Sequence, residues 1–196
     1  RNNLAVVLRE LGKVDEAVAV VESTAGLAAD PRQMMNLANL RADEGRHDEA
    51  EALYRSALAA TPDDFALLNN LGGLLAKQKR EEEALALLDR AAAQNPESAD
   101  LWYNRGRALA GLRRDDEACA AYRKATEIDP GYFKAYGVWA ALEEGRNNLE
   151  RAAELAEKAL AIAPDHPDNV ASHTVIAKYY RRSKQPDRAL AEIERV

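Results

Sequence analysis

Asn3, Asn36, Asn70 and Asn104 stand at matching places along this 196-residue chain, the last three separated by 34 residues each. A carboxamide carries two donors and an acceptor, so a row of them can pair with the N–H and C=O groups of an extended peptide without demanding particular side chains. That is binding chemistry, and the residues that would support catalysis are far thinner. Cys119 is the single cysteine and can form neither an internal disulfide nor a thiolate metal site. With no histidine nearby in sequence to activate it, it reads as an inert thiol. His47, in Gly45-Arg46-His47-Asp48-Glu49-Ala50, lacks the second histidine four residues on that a zinc-protease helix requires, and reads as a turn residue. His173 falls at a packing position, and His166 has only carboxylates near it, a poor ligand set for zinc. No strand is predicted, so no glycine loop can follow one to cradle phosphate. The expected sets of catalytic residues, metal ligands and cofactors are therefore empty, and the chain reads as no enzyme.

The elements that must position those asparagines are helices. Forty alanines and 24 leucines against 10 glycines and 7 prolines favour helix over sheet throughout. With 47% apolar and 31% charged residues, the chain buries a sizeable core and stays soluble, which excludes overall disorder. A net charge of −6 argues against nucleic acid as a partner, since phosphate binding needs an excess of Lys and Arg. No apolar run approaches the roughly 18 residues of a membrane span. The N-terminus carries no basic segment followed by an apolar stretch.

A fixed period organises the whole sequence. Ala50, Ala84, Ala118 and Ala152 recur every 34 residues, as do Ala57, Ala91, Ala125 and Ala159, and Pro62, Pro96, Pro130 and Pro164. Outward, Ala17 precedes Ala50 by 33 residues, and Ala189 follows Ala152 by 37. The extra length falls in Pro164-Asp165-His166-Pro167-Asp168-Asn169, read as a loop. Each period holds two apolar-periodic stretches around a turn rich in Gly, Lys, Arg and Asp, which is a helical hairpin. Asp129-Pro130 ends one such hairpin, because proline lacks the amide donor and disfavours helix in the residue before it. The expected units are residues 1–30 (partial), 31–64, 65–98, 99–132, 133–169 and 170–196 (partial), forming one array. Small residues at position 8 (Ala38, Gly72, Gly106, Ala140) and at the two alanine series let helices approach closely.

This pattern resembles the tetratricopeptide repeat (TPR), whose 34-residue unit places a large residue at position 4, Leu at 7, Gly or Ala at 8, an aromatic or Leu at 11, Ala at 20 and 27, an aromatic at 24 and Pro at 32. Position 4 is Met34, Leu68, Trp102 and Tyr136, and position 24 is Tyr54, Leu88, Tyr122 and Ala156. Arg105 at position 7, and Arg41 and Glu143 at position 11, depart from the pattern and imply local repacking. The resemblance implies an all-α fold, a right-handed superhelical solenoid of stacked antiparallel hairpins. Its concave groove would be lined by positions 2, 5, 6, 9, 12 and 13 of the first helices. It also implies that the asparagine series at position 6 binds peptide backbone, as a similar ladder does in the O-linked N-acetylglucosamine transferase; the alternative is that asparagine there only hydrogen-bonds across neighbouring helices.

Candidate peptide-binding residues on these positions are Asn3, Asn36, Asn39, Asn69, Asn70, Tyr103, Asn104, Arg107 and Lys134. The charges that a co-chaperone carboxylate clamp needs are missing at Met35, Asp100 and Val138, so that mode is not expected. Groove positions carry eight cations against four carboxylates, a local charge of +4. An acidic or C-terminal peptide segment is therefore the expected partner. Both ends read as cut within a hairpin, so two alternatives accompany the scaffold reading. The chain could be the substrate-recruiting arm of a larger enzyme such as a glycosyltransferase or sulfotransferase, or its uncapped ends could self-associate. Ala and Arg richness with a lone Cys points to bacterial cytoplasm, with a periplasmic or membrane-tethered parent as the alternative.

Overall fold

The computed structural model describes residues 7, 8, 16 and 30–195, and every helix and turn discussed below lies among them. Val7, Leu8 and Glu16 are helical, while Asn3 and most of the expected first unit lie outside the described residues. Two compact units divide the chain, Arg1–Pro96 and Glu97–Val196. The first holds hairpin α1 (Pro31–Asp43) and α2 (His47–Ala60), then α3 (Phe65–Lys77) and α4 (Glu81–Gln94). The second holds α5 (Ala99–Gly111) and α6 (Asp115–Ile128), α7 (Phe133–Gly145) and α8 (Leu149–Ile162), and α9 (Val170–Arg182) and α10 (Pro186–Ile193). No strand occurs among the described residues, so the fold is the expected all-α stack of hairpins.

Local chemistry sets each boundary. The first helices α1, α3 and α5 open on side-chain caps: Asp30 accepts from the Arg32 amide at 3.1 Å, Asp64 from Leu67 at 3.0 Å and Ser98 from Leu101 at 3.3 Å. Second helices open instead on acidic turns, such as Glu81-Glu82-Glu83 and Asp115-Asp116-Glu117, which favour the positive end of the helix dipole. Arg46, Arg80 and Arg114 each fork onto the glutamate three residues ahead at 2.7–2.8 Å.

The turn inside every hairpin is the same left-handed cap. Gly45, Lys79, Arg113, Asn147 and Lys184 adopt φ of 78°, 61°, 60°, 62° and 57°. The next amide then reaches back over the turn, as Arg80 N–H does to the Leu75 carbonyl at 3.0 Å and Arg114 N–H to Leu109 at 3.0 Å.

The core lies between the two helices of each hairpin. Both alanine series are fully buried, and Gly72 and Gly106 admit Leu88 and Tyr122 against bare backbone. A Cβ on Gly106 would stand 2.5 Å from Tyr122 Cε1 and 2.6 Å from Cδ1. The position 11 departures are absorbed by polar partners. Arg41, 8% exposed, pairs with Glu44 at 3.0 Å and Glu49 at 3.5 Å. Glu143, 7% exposed, receives Trp139 Nε1 at 3.2 Å, Asn148 Nδ2 at 3.2 Å and the Cys119 thiol at 3.3 Å.

The inserted segment before α9 is more ordered than a plain loop. Pro167–Asn169 forms a 3-10 turn, because Asn169 buries its side chain and caps α8 by donating to the carbonyls of Ala159 (3.1 Å) and Ala163 (2.6 Å).

Gly106 and Gly137 give opposite expectations for the same substitution. Gly106→Ala drives a methyl into the Tyr122 ring and should destabilise by about 1–3 kcal/mol, a fall of several degrees in Tm. At Gly137 the nearest atoms to a new Cβ are 3.8 and 4.0 Å away, so Gly137→Ala should be neutral or raise Tm through helix propensity. Thermal melts followed by circular dichroism separate the two.

Candidate peptide-binding face

In the first unit the face is built from α1 and α3, whose matching positions lie one 34-residue repeat apart. Asn36 and Asn39 are one turn apart on α1 and both half-buried, and Asn70 on α3 is half-buried too. Asn70 Nδ2 donates to Asn39 Oδ1 at 3.1 Å, and the Tyr54 hydroxyl of α2 donates to the same oxygen. Two amides are thereby locked side by side, with the Asn39 nitrogen and the Asn70 oxygen left to act on a third group. Asn39 thus serves first as the fastener of its neighbour. Nearby, Arg32, Met35, Thr61 and Leu67 help line a cavity of about 220 Å³.

Asn69 is placed differently from its expectation. It is 6% exposed, closed off as α3 packs Leu67, Leu68 and Leu71 into the core, and has little surface to offer a ligand. Position 5 is open on α1, where Met35 is half-buried, but not on α3. Hydropathy would favour exposure for an asparagine at either place, so no local signal marks the difference.

The second unit carries aromatic and cationic groups. Tyr103, on α5, meets the Tyr132 ring edge-on at 5.4 Å and the Tyr122 ring at 6.4 Å. Tyr132 donates its hydroxyl to Asp100 at 2.5 Å, which fixes the cluster. Arg107 lies one turn along α5 with its guanidinium 5.8 Å from the Tyr103 centroid, and it makes no ion pair among the described residues. Burial pushes the Tyr103 hydroxyl pKa upward, Arg107 pulls it down, and Asp168 and Asp100 push it up. Asn104 is half-buried on the same helix. On α7, Lys134 is exposed, with Asp168 at 3.6 Å and its ammonium 6.0 Å from the Phe133 ring.

Two other groove cations are engaged within the chain: Lys178 pairs with Glu144, and Arg182 donates to Asn147 at 2.6 Å. Tyr132 and Asp168 escaped sequence reasoning because they lie in the links between repeats, outside the six groove positions. No group of three or more His, Cys, Asp or Glu side chains suited to a metal occurs among the described residues. None of the described helices is long and apolar enough to cross a membrane.

Tetratricopeptide repeat models match residues 41–103, 82–133 and 1–24, together more than half of the chain. The chain belongs to the tetratricopeptide repeat family. The stacked hairpins agree with solved TPR structures. A thermophilic TPR protein of Thermus thermophilus is 26% identical, with a TM-score of 0.77 over 89% of this chain and 96% of that one. PilF of Pseudomonas aeruginosa, 21% identical, superposes with a TM-score of 0.82 over 97% of this chain and 86% of its own. YrrB, described as a TPR protein with an unusual peptide-binding site, is 26% identical, with a TM-score of 0.64 over 88% and 89%. The chain matches none of the curated protein sequences with which it was compared.

The one nucleophile type set aside above behaves as a packed thiol in this TPR chain. Burial pushes the Cys119 pKa up, and the hydrogen bond to Glu143 and the Glu143 charge add to the rise, against a downward pull from Arg146 at 3.1 Å. The group therefore stays protonated past the ordinary thiol range, and the thiolate that reacts is scarce. A thiol reagent such as dithiobis-nitrobenzoate at pH 8 should label native protein at least tenfold more slowly than protein in denaturant.

Proposed function

We propose that this TPR array is a non-enzymatic protein-interaction module that holds an extended peptide segment along the first helices of its hairpins. Asn36 and Asn70, and Asn104 at the same repeat position of the second unit, bind its backbone. The observation that carries the reading is the amide pair of Asn39 and Asn70, joined at 3.1 Å and fastened by Tyr54. A carboxamide held in one orientation presents its remaining donor and acceptor without paying for ordering at the moment of binding. An extended backbone supplies the complementary groups and leaves side-chain identity open.

Tyr103, Arg107 and Lys134 add a preference for acidic residues. Arg107 already lies over an aromatic ring and has no carboxylate partner among the described residues, which supports a ligand carboxylate as its partner. YrrB's description as peptide-binding agrees in kind.

Replacing Asn36, Asn70 and Asn104 together by Ala tests this. Each lost backbone hydrogen bond removes about 0.5–1.5 kcal/mol, so the affinity of a bound peptide should fall tenfold or more. The far-ultraviolet circular dichroism should stay within a few per cent of wild type. Peptides selected on wild-type protein from an immobilised random library supply the ligand, and equal Kd values for both proteins would refute backbone binding by this series.

A further inference from the structure

The repeat over residues 133–169 is three residues longer than the 34-residue period, and the addition puts a carboxylate beside a cation assigned above to ligand binding. Asp168 Oδ2 stands 3.6 Å from Lys134 Nζ. The segment that carries it is anchored on both sides. On one, the His166 ring packs on Phe133 with centroids 4.6 Å apart and its Nδ1 accepts the Asp168 amide at 3.2 Å. On the other, Asn169 is 1% exposed and bonded to the end of α8. Asp168 is thus presented by a braced backbone rather than by a wandering loop.

We propose that Lys134 and Arg107 form a carboxylate subsite for an acidic side chain of the peptide, and that in the free chain Asp168 occupies the Lys134 half of that subsite as an internal competitor. The inference rests on the peptide-binding reading above and adds to it the residue that ligand must displace. Charge near Tyr103 agrees with this placement, since Arg107 and Asp168 pull on its hydroxyl in opposite directions. The pair is exposed and 3.6 Å apart, longer than a charge-assisted hydrogen bond, so it yields readily to a ligand with better geometry.

The test uses two fluorescein-labelled, C-terminally amidated octapeptides, (Ser-Glu)4 and (Ser-Gln)4, titrated by anisotropy. Asp168→Asn removes the competitor and keeps the shape. It should bind the Glu probe about two- to fivefold more tightly, the range an exposed ion pair supports, and leave the Gln probe unchanged. Asp165→Asn removes the same charge from the same exposed segment without touching Lys134 and should give no gain, and Lys134→Ala added to Asp168→Asn should erase the gain. Equal affinity of Asp168→Asn and wild type for the Glu probe, or an equal gain from Asp165→Asn, overturns the competitor. Its failure is separable from failure of the groove. If Asn36→Ala/Asn70→Ala does not weaken the Gln probe, or if neither probe binds any variant, the peptide-binding reading falls and takes this inference with it.

Discussion

Close approach of two helices at a residue with no side chain is the constraint on which the rest of the structure depends. At Gly106 the Tyr122 ring occupies the space a Cβ would need, and at Gly72 the Leu88 side chain does the same, with Cγ 2.7 Å from the point a Cβ would take. Interiors are packed densely enough that such a contact fixes the pair of helices in rotation as well as in distance. Once rotation is fixed, position 6 of α1, α3 and α5 is only half-buried. The half-buried state of Asn36, Asn70 and Asn104 is thus a consequence of glycine and alanine placed elsewhere on the same helices.

The same constraint explains how this chain tolerates charge inside its hairpins. A carboxylate such as Glu143 cannot be buried alone, because losing its hydration outweighs anything packing returns. Here Trp139, Asn148 and Cys119 supply three donors, and Arg146 Nη1 stands 3.6 Å away. The cysteine is therefore a hydrogen-bond donor to a buried carboxylate, which gives it a packing role in this hairpin contact. Arg41 solves the same problem from the other sign with Glu44 and Glu49, both supplied by its own hairpin. Positions that depart from the repeat pattern remain compatible with the fold because each carries its partners along.

Much of the fold was legible in the sequence, because it rests on residues that act through size and backbone alone. A period of 34 in Ala and Pro locates the helices and their ends without any knowledge of tertiary contacts. The left-handed turn was half legible. Gly45 and Asn147 suit a positive φ, whereas Lys79, Arg113 and Lys184 adopt it only because the two flanking helices are already held by their packing. Candidate site residues were less legible, since the surroundings of a side chain depend on what the neighbouring helices bring to it. Asn69 went inward with the leucines of α3, and Asn39 was captured by a tyrosine 15 residues away. Neither outcome is encoded in the spacing of asparagines; both depend on what the adjacent helix brings.

Within one family architecture, then, the two units carry different surface chemistry for a physical reason. Around α1 and α3 the proposed contacts are half-buried neutral amides, of which Asn39 and Asn70 are oriented by one another and by Tyr54, and an amide suits the peptide backbone, which every ligand shares. Around α5 and α7 the proposed contacts are a guanidinium beside an aromatic ring and an ammonium, which suit side-chain charge, the feature in which ligands differ. A backbone-reading surface alone would hold many sequences with similar strength, and a charge-reading surface alone would hold any acidic body regardless of its conformation. Under the proposed reading the first unit selects for an extended backbone and the second for a carboxylate, so each filters ligands on a different property, with no single contact of unusual strength.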